Sequence, residues 1–234
     1  MCTVVVRRSA GRPVELLAVR DELTSRDFDD PDRWWQEFPD LVGGRDRVAG
    51  GTWCATSVTT GVTALVLNRH HDRPAAPGAP SRGVLPLLGA VHGPEWTAHV
   101  RLAGMAGFLL VLAAPDRLTT WGFDGDRLTV TEHAEGTHLL TSGGAEDRKA
   151  DRWLATFATA EFPAGWRAQL QGQTPADDPA ALVVRREQDG RVFGTVFAET
   201  IDARPGQLRL AHSRRPWADA PWNTAEFGPA TGRP

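Results

Sequence analysis

Tyrosine is absent from this chain, lysine occurs once (Lys149) and cysteine twice (Cys2 and Cys54). Two cysteines cannot build a disulfide framework, so each is expected as a free thiol in a reducing compartment. The near absence of lysine beside abundant arginine, alanine, glycine and proline reads as codon bias. Positive charge is also not in excess: the net charge is -3, which argues against a protein built to neutralise phosphate backbones, and nucleic acid is not an expected partner. Long apolar runs are missing too. The longest, Leu102 to Ala114, is interrupted by glycines and falls short of the roughly 20 residues that span a bilayer. At the N-terminus an apolar stretch precedes Arg7-Arg8, the reverse of a secretory signal, so no membrane span and a cytoplasmic location are expected. What is present suffices for a large core: 41% of the 234 residues are hydrophobic and 24% are charged, the composition of a globular chain. No linker or repeat divides it, so residues 1–234 are expected to form a single domain.

The chain opens with two β-branched and aliphatic runs, residues 2–7 and 14–20, separated by the turn formers Ser9-Ala10-Gly11-Arg12-Pro13, which predicts a hairpin. Residues 21–49 carry dense charge and scattered aromatics, and read as a long surface excursion. A second hairpin is expected from residues 50–57 and 62–68, and a proline-rich loop over 70–81. Residues 83–93 and 95–104 space their apolar positions for two short helices. Four short strands are expected at 108–113, 118–123, 127–131 and 137–141. An amphipathic helix is expected over 146–162, presenting Trp153, Leu154 and Phe157 on one stripe. Three further strands are placed at 181–186, 192–200 and 207–212, with Asp189-Gly190 as a hairpin turn. Strands grouped at both ends with helices between them define an α+β protein.

Cys2 is the most informative position. A small residue there permits removal of Met1, which would leave the thiol and a free α-amine on one residue. An amine with a pKa of about 7.7–8.0 can serve as the base for its own thiol, a sufficient arrangement for acyl transfer. On this residue alone, a small buried side chain is the simpler reading.

The surrounding motifs widen the case. Met1-Cys2 is followed by Val19-Arg20-Asp21-Glu22, Gly50-Gly51-Thr52-Trp53, a strand ending at Asn68, and Ser81-Arg82-Gly83. In this order they resemble the NRDE family, also called the transport and Golgi organisation 2 family, whose members begin Met-Cys and carry Asn-Arg-Asp-Glu. A weaker likeness continues through Gly107-Phe108-Leu109-Leu110 and the strands after Ala181. The resemblance implies a fold like the N-terminal-nucleophile hydrolases, an αββα four-layer sandwich of two antiparallel sheets. It also implies roles similar to those in cysteine amidohydrolases of the choloylglycine and penicillin V acylase type. Cys2 would be the nucleophile, Arg20 and Asp21 its charged neighbours, and Asn68 an oxyanion donor acting on a linear amide. The chain departs from the family at Val19, Leu109 and Ser142, where amide side chains are expected.

Other candidates have simpler explanations. His70-His71-Asp72 is read as a solvated loop rather than a ligand pair, because adjacent residues diverge. The remaining histidines lack zinc spacing, and no metal site is expected. Gly43-Gly44 and Gly143-Gly144 are read as turns. Cys54 is expected to fill space within its strand, and most tryptophans to be core. Two functional readings therefore stand side by side. One is an amidohydrolase that needs no cofactor. The other is a non-catalytic pocket for haem or another hydrophobic metabolite, since family members have been linked to haem trafficking and acyl-thioester metabolism. Both take a small molecule as partner.

Overall fold

A computed structural model describes residues 2–69, 75–143, 148–171, 178 and 180–230. The opening hairpin forms as expected, with β1 (Thr3–Arg8) and β2 (Val14–Leu23). There follow β3 (Phe28–Asp32), β4 (Leu41–Asp46), β5 (Cys54–Ser57), β6 (Thr63–Asn68), α1 (Leu85–His92), β7 (Phe108–Ala113), β8 (Leu118–Phe123) and β9 (Leu128–His133). The chain continues through β10 (Gly136–Thr141), α2 (Lys149–Thr159), α3 (Ala164–Ala168), β11 (Arg185–Gln188), β12 (Arg191–Arg204), β13 (Gln207–Ser213) and β14 (Asn223–Phe227).

These strands form two antiparallel sheets. One runs β10-β1-β2-β12-β13-β14, with β11 paired to the first four residues of β12 (Arg191–Gly194); the other runs β3-β4-β5-β6-β7-β8-β9. The period of two along each strand sorts side chains into layers. Val4, Val6, Leu16 and Ala18 meet Val42, Leu65, Leu67 and Val111 between the sheets. Val5, Leu17 and Val19, pointing the other way, pack on Phe157 and Trp166 of α2 and α3. On the far side of the second sheet, Ala64, Val66, Leu110 and Leu112 pack on α1 and on Trp96. Helix, sheet, sheet and helix are stacked in that order, the four-layer α+β sandwich expected above.

Several local expectations are corrected. Residues 21–49 are not a loop excursion, for they supply the end of β2 and all of β3 and β4. Their strand pattern is hidden because Asp29 occupies a strand position where two arginines cover it, its carboxylate accepting hydrogen bonds from Arg45 Nε (2.8 Å) and Arg47 Nε (2.6 Å). Gly43 and Gly44 lie in β4 and are not a turn. A Cβ on Gly43 would stand 2.2 Å from Cys54 O, and one on Gly44 2.3 Å from the Trp53 ring. Of the two helices expected over 83–104, the second is a 3-10 turn, Gly93–His99, which begins Gly93-Pro94 and buries Trp96. The helix expected over 146–162 is shorter, ending at Thr159 before Pro163 starts α3. The strand expected over 181–186 begins at Arg185, and β14 was not anticipated. The Asp189-Gly190 turn has φ of 51° and 71°, the paired positive values of a tight hairpin. His70, His71, Asp72 and Gly144 lie outside the described residues.

Candidate functional site

Antiparallel pairing of Thr3 with Val19 brings Cys2, just ahead of β1, alongside the Arg20-Asp21 end of β2. The Cys2 thiol donates to Asp21 O at 3.6 Å. Opposite, the second sheet contributes Trp53 at the start of β5 and Asn68 at the end of β6. Between them is a cavity of about 300 Å³ lined by all four residues expected from sequence, Cys2, Arg20, Asp21 and Asn68. Glu22, Arg26, Asp46, Ser81, Arg82 and Gly83 also line it.

Arg20 is 5% exposed and its guanidinium lies over the rings of Trp53 (4.4 Å) and Phe28 (5.0 Å). Such desolvated cation–π contacts hold a charge without hydrogen bonds. Burial lowers the Arg20 pKa, and Glu22, 3.6 Å from Nη2, opposes that shift. Trp53 is fixed in turn: its edge meets Phe28 and Phe197, and Nε1 donates to Glu199 Oε1 at 3.3 Å. Glu199 is wholly buried on β12, and burial pushes its carboxyl up to about 7.

Asp21 sits deeper. Its Oδ1 accepts from Thr195 Oγ1 at 2.7 Å and its Oδ2 is 4.0 Å from Lys149 Nζ. Lys149, which opens α2, also donates to Thr3 Oγ1 at 2.9 Å, so one ammonium ties together the residue after Cys2 and the carboxylate beside it. Burial raises the Cys2 pKa, the Asp21 carboxylate raises it further, and Arg20 counters in part. The thiol is therefore held in its protonated form, and its ionisation calls for a nearby base.

Sequence reasoning missed Lys149, Thr195, Trp53 and Glu199 as parts of this constellation. Two of them carried a signal: Trp53 closes the Gly50-Gly51-Thr52-Trp53 motif without having been given a role, and the uniqueness of Lys149 was read as codon bias. The departures from the family pattern lie off the cavity lining. Val19 faces the helical layer over the first sheet, and Leu109 packs against the core between the sheets. Ser142 is buried, and its N–H donates to Cys2 O at 3.4 Å.

A layered αββα protein with a cysteine and a charged cluster at the mouth of its inter-sheet space is the class that fold and site define. A model of the Transport and Golgi organisation 2 family matches residues 1–156, and the chain belongs to that family. No curated protein matches the chain. The family match covers Cys2, Arg20, Asp21, Asn68 and Lys149, whereas Thr195 and Glu199 come from the segment beyond it. Among the described residues, no helix is long and apolar enough to cross a membrane.

Proposed function

We propose that this single-domain protein is an amidohydrolase of the N-terminal-nucleophile type that cleaves a linear C–N amide with Cys2. The observation that carries the reading is the gathering of Cys2, Arg20, Asp21 and Asn68 around one cavity of about 300 Å³, a size suited to a small substrate. After removal of Met1, the Cys2 α-amine takes the thiol proton as sulfur attacks the amide carbon. The Asn68 amide donates to the oxyanion. The C–N bond then breaks, the protonated amine returns its proton to the leaving nitrogen, and water hydrolyses the thioester to acid and free thiol. Arg20 favours the thiolate, and Asp21 holds the amine.

Intact-mass measurement of the purified protein tests the first requirement. Loss of Met1 is expected, and its retention removes the amine from the mechanism. A cysteine-directed acylating probe should label Cys2 far faster than Cys54; equal rates count against an activated nucleophile.

The raised pKa of the Cys2 thiol counts against an activated nucleophile, which is the ground for a second reading, a non-catalytic pocket for haem or a hydrophobic metabolite. Titration with haem, followed by absorbance, separates the two. Absence of a Soret shift at micromolar haem excludes the haem version.

A further inference from the structure

Ser81-Arg82-Gly83 has no part in the reaction proposed above, yet it forms one wall of the cavity. Its placement is a matter of backbone meeting backbone. Thr52 N donates to Gly83 O at 2.9 Å, and a Cβ on Gly51 would stand 2.5 Å from the carbonyl of Gly83. The two motifs can therefore dock only because Gly51 has no side chain. Ser81 Oγ accepts from Gly83 N at 3.3 Å and starts the short 3-10 turn Arg82–Val84. Arg82 thus projects from a fixed turn, half-buried, with Nη1 donating to Gly107 O at 2.7 Å.

The other cations of the site are matched. Arg20 faces Glu22, Arg26 is 2.8 Å from Asp46, and Lys149 stands by Asp21. Among the described residues, no carboxylate lies within ion-pair distance of Arg82. Burial lowers its pKa, while Glu22 and the Cys2 thiol act on it in the opposite direction, which puts its charge in the same field as the thiol. A guanidinium has five N–H donors in a planar fork. With one of them spent on Gly107, the fork retains donors for an oxyanion.

We infer that Arg82 anchors a carboxylate of the ligand, so that the cavity takes an acylated amine bearing an acid group, such as an N-acyl amino acid. This assignment rests on the amidohydrolase reading for the acyl part alone. Binding of the acid group needs no reaction, so the two can fail separately.

The test is calorimetric titration of the Cys2→Ala protein, which cannot turn over, with N-acetylglycine, the neutral N-acetylglycinamide and inorganic phosphate. N-acetylglycine should bind on the order of tenfold more tightly than the amide. That preference should vanish in Cys2→Ala/Arg82→Met and persist in Cys2→Ala/Arg82→Lys, with thermal midpoints measured to confirm that each variant is folded. Equal binding of acid and amide, or a preference that survives Arg82→Met, overturns the proposal. Tighter binding of phosphate than of N-acetylglycine overturns the choice of carboxylate. Preferential acid binding by Cys2→Ala, with no labelling of Cys2 by the acylating probe in the otherwise identical protein that retains it, sustains the anchor and rejects the nucleophile.

Discussion

Lys149 Nζ stands 4.0 Å from Asp21 Oδ2, and both side chains are out of contact with solvent. The single lysine of the chain is spent inside the protein, beneath the residue that follows Cys2. A buried carboxylate is tolerated where an opposite charge and hydrogen bonds attend it, and Thr195 supplies one such bond.

Removing that partner should be costly. Lys149→Met is expected to destabilise the protein by about 3 kcal/mol or more, because it strands a buried carboxylate. The double variant Lys149→Met/Asp21→Asn should recover part of the loss. Urea unfolding of the three proteins measures both, and a single variant within 1 kcal/mol of wild type, on the scale of ordinary surface changes (about 0.5 kcal/mol), contradicts the pairing.

Glu199 should make stability fall with pH. Its carboxyl is raised from 4.5 to about 7 in the fold. Between those values the unfolded chain has released the proton and the folded protein still holds it. Stability from this group is thus complete below the lower value and lost as pH rises through the window. The total is about 3 kcal/mol. Glu199→Gln keeps an acceptor for Trp53 Nε1 and cannot ionise, so its stability relative to wild type should improve steadily from pH 5 to pH 7. A flat difference between the two denaturation series contradicts a protonated Glu199.

The docking of the two glycine motifs gives a further outcome. Gly51→Ala places a methyl against the Gly83 carbonyl and should cost about 1–3 kcal/mol. Gly11→Ala is the contrast: it meets no atom within 4 Å but has φ of 71°, so its cost is limited to backbone strain of about 1 kcal/mol. Thermal melts rank the pair.

Cysteine reactivity should divide by burial. Cys54 is 1% exposed and its pKa is raised well above the ordinary value by burial and Glu199, whereas Cys2 lines the cavity. Native protein should therefore react with iodoacetamide at Cys2 first, by on the order of tenfold or more. With Met1 retained, the rate should keep rising beyond the pH at which an ordinary thiol levels off. Peptide mapping of time points locates the label.

Much of the first sheet was legible because its code is local. Val4-Val5-Val6 and Leu16-Leu17-Ala18 have β-branched or aliphatic side chains at every position, as a strand buried on both faces requires. Turn formers at 9–13 and at Asp189-Gly190 then fix where the chain reverses. Strands β3 and β4 were illegible for the opposite reason. Asp29 looks like a surface residue until Arg45 of the neighbouring strand and Arg47 just beyond its end arrive, and Gly43 looks like a turn until Cys54 comes close enough to exclude a side chain.

The site divides in the same way. Cys2, Arg20, Asp21 and Asn68 could be named because their motifs resemble those of the family in order; the opening hairpin then sets Cys2 beside the Arg20-Asp21 end of β2, whereas Asn68 arrives from the other sheet. By itself, then, the sequence determined the strand-rich α+β class, the opening hairpin and the candidate nucleophile. Only the tertiary structure decided that Lys149 enters from a helix to meet Asp21, that Trp53 and Glu199 support Arg20 across the sheets, and that Arg82 lines the cavity with no carboxylate of the described residues in ion-pair reach. Those contacts join residues tens to more than a hundred positions apart, and a charge buried by distant partners leaves no periodic trace in its own neighbourhood.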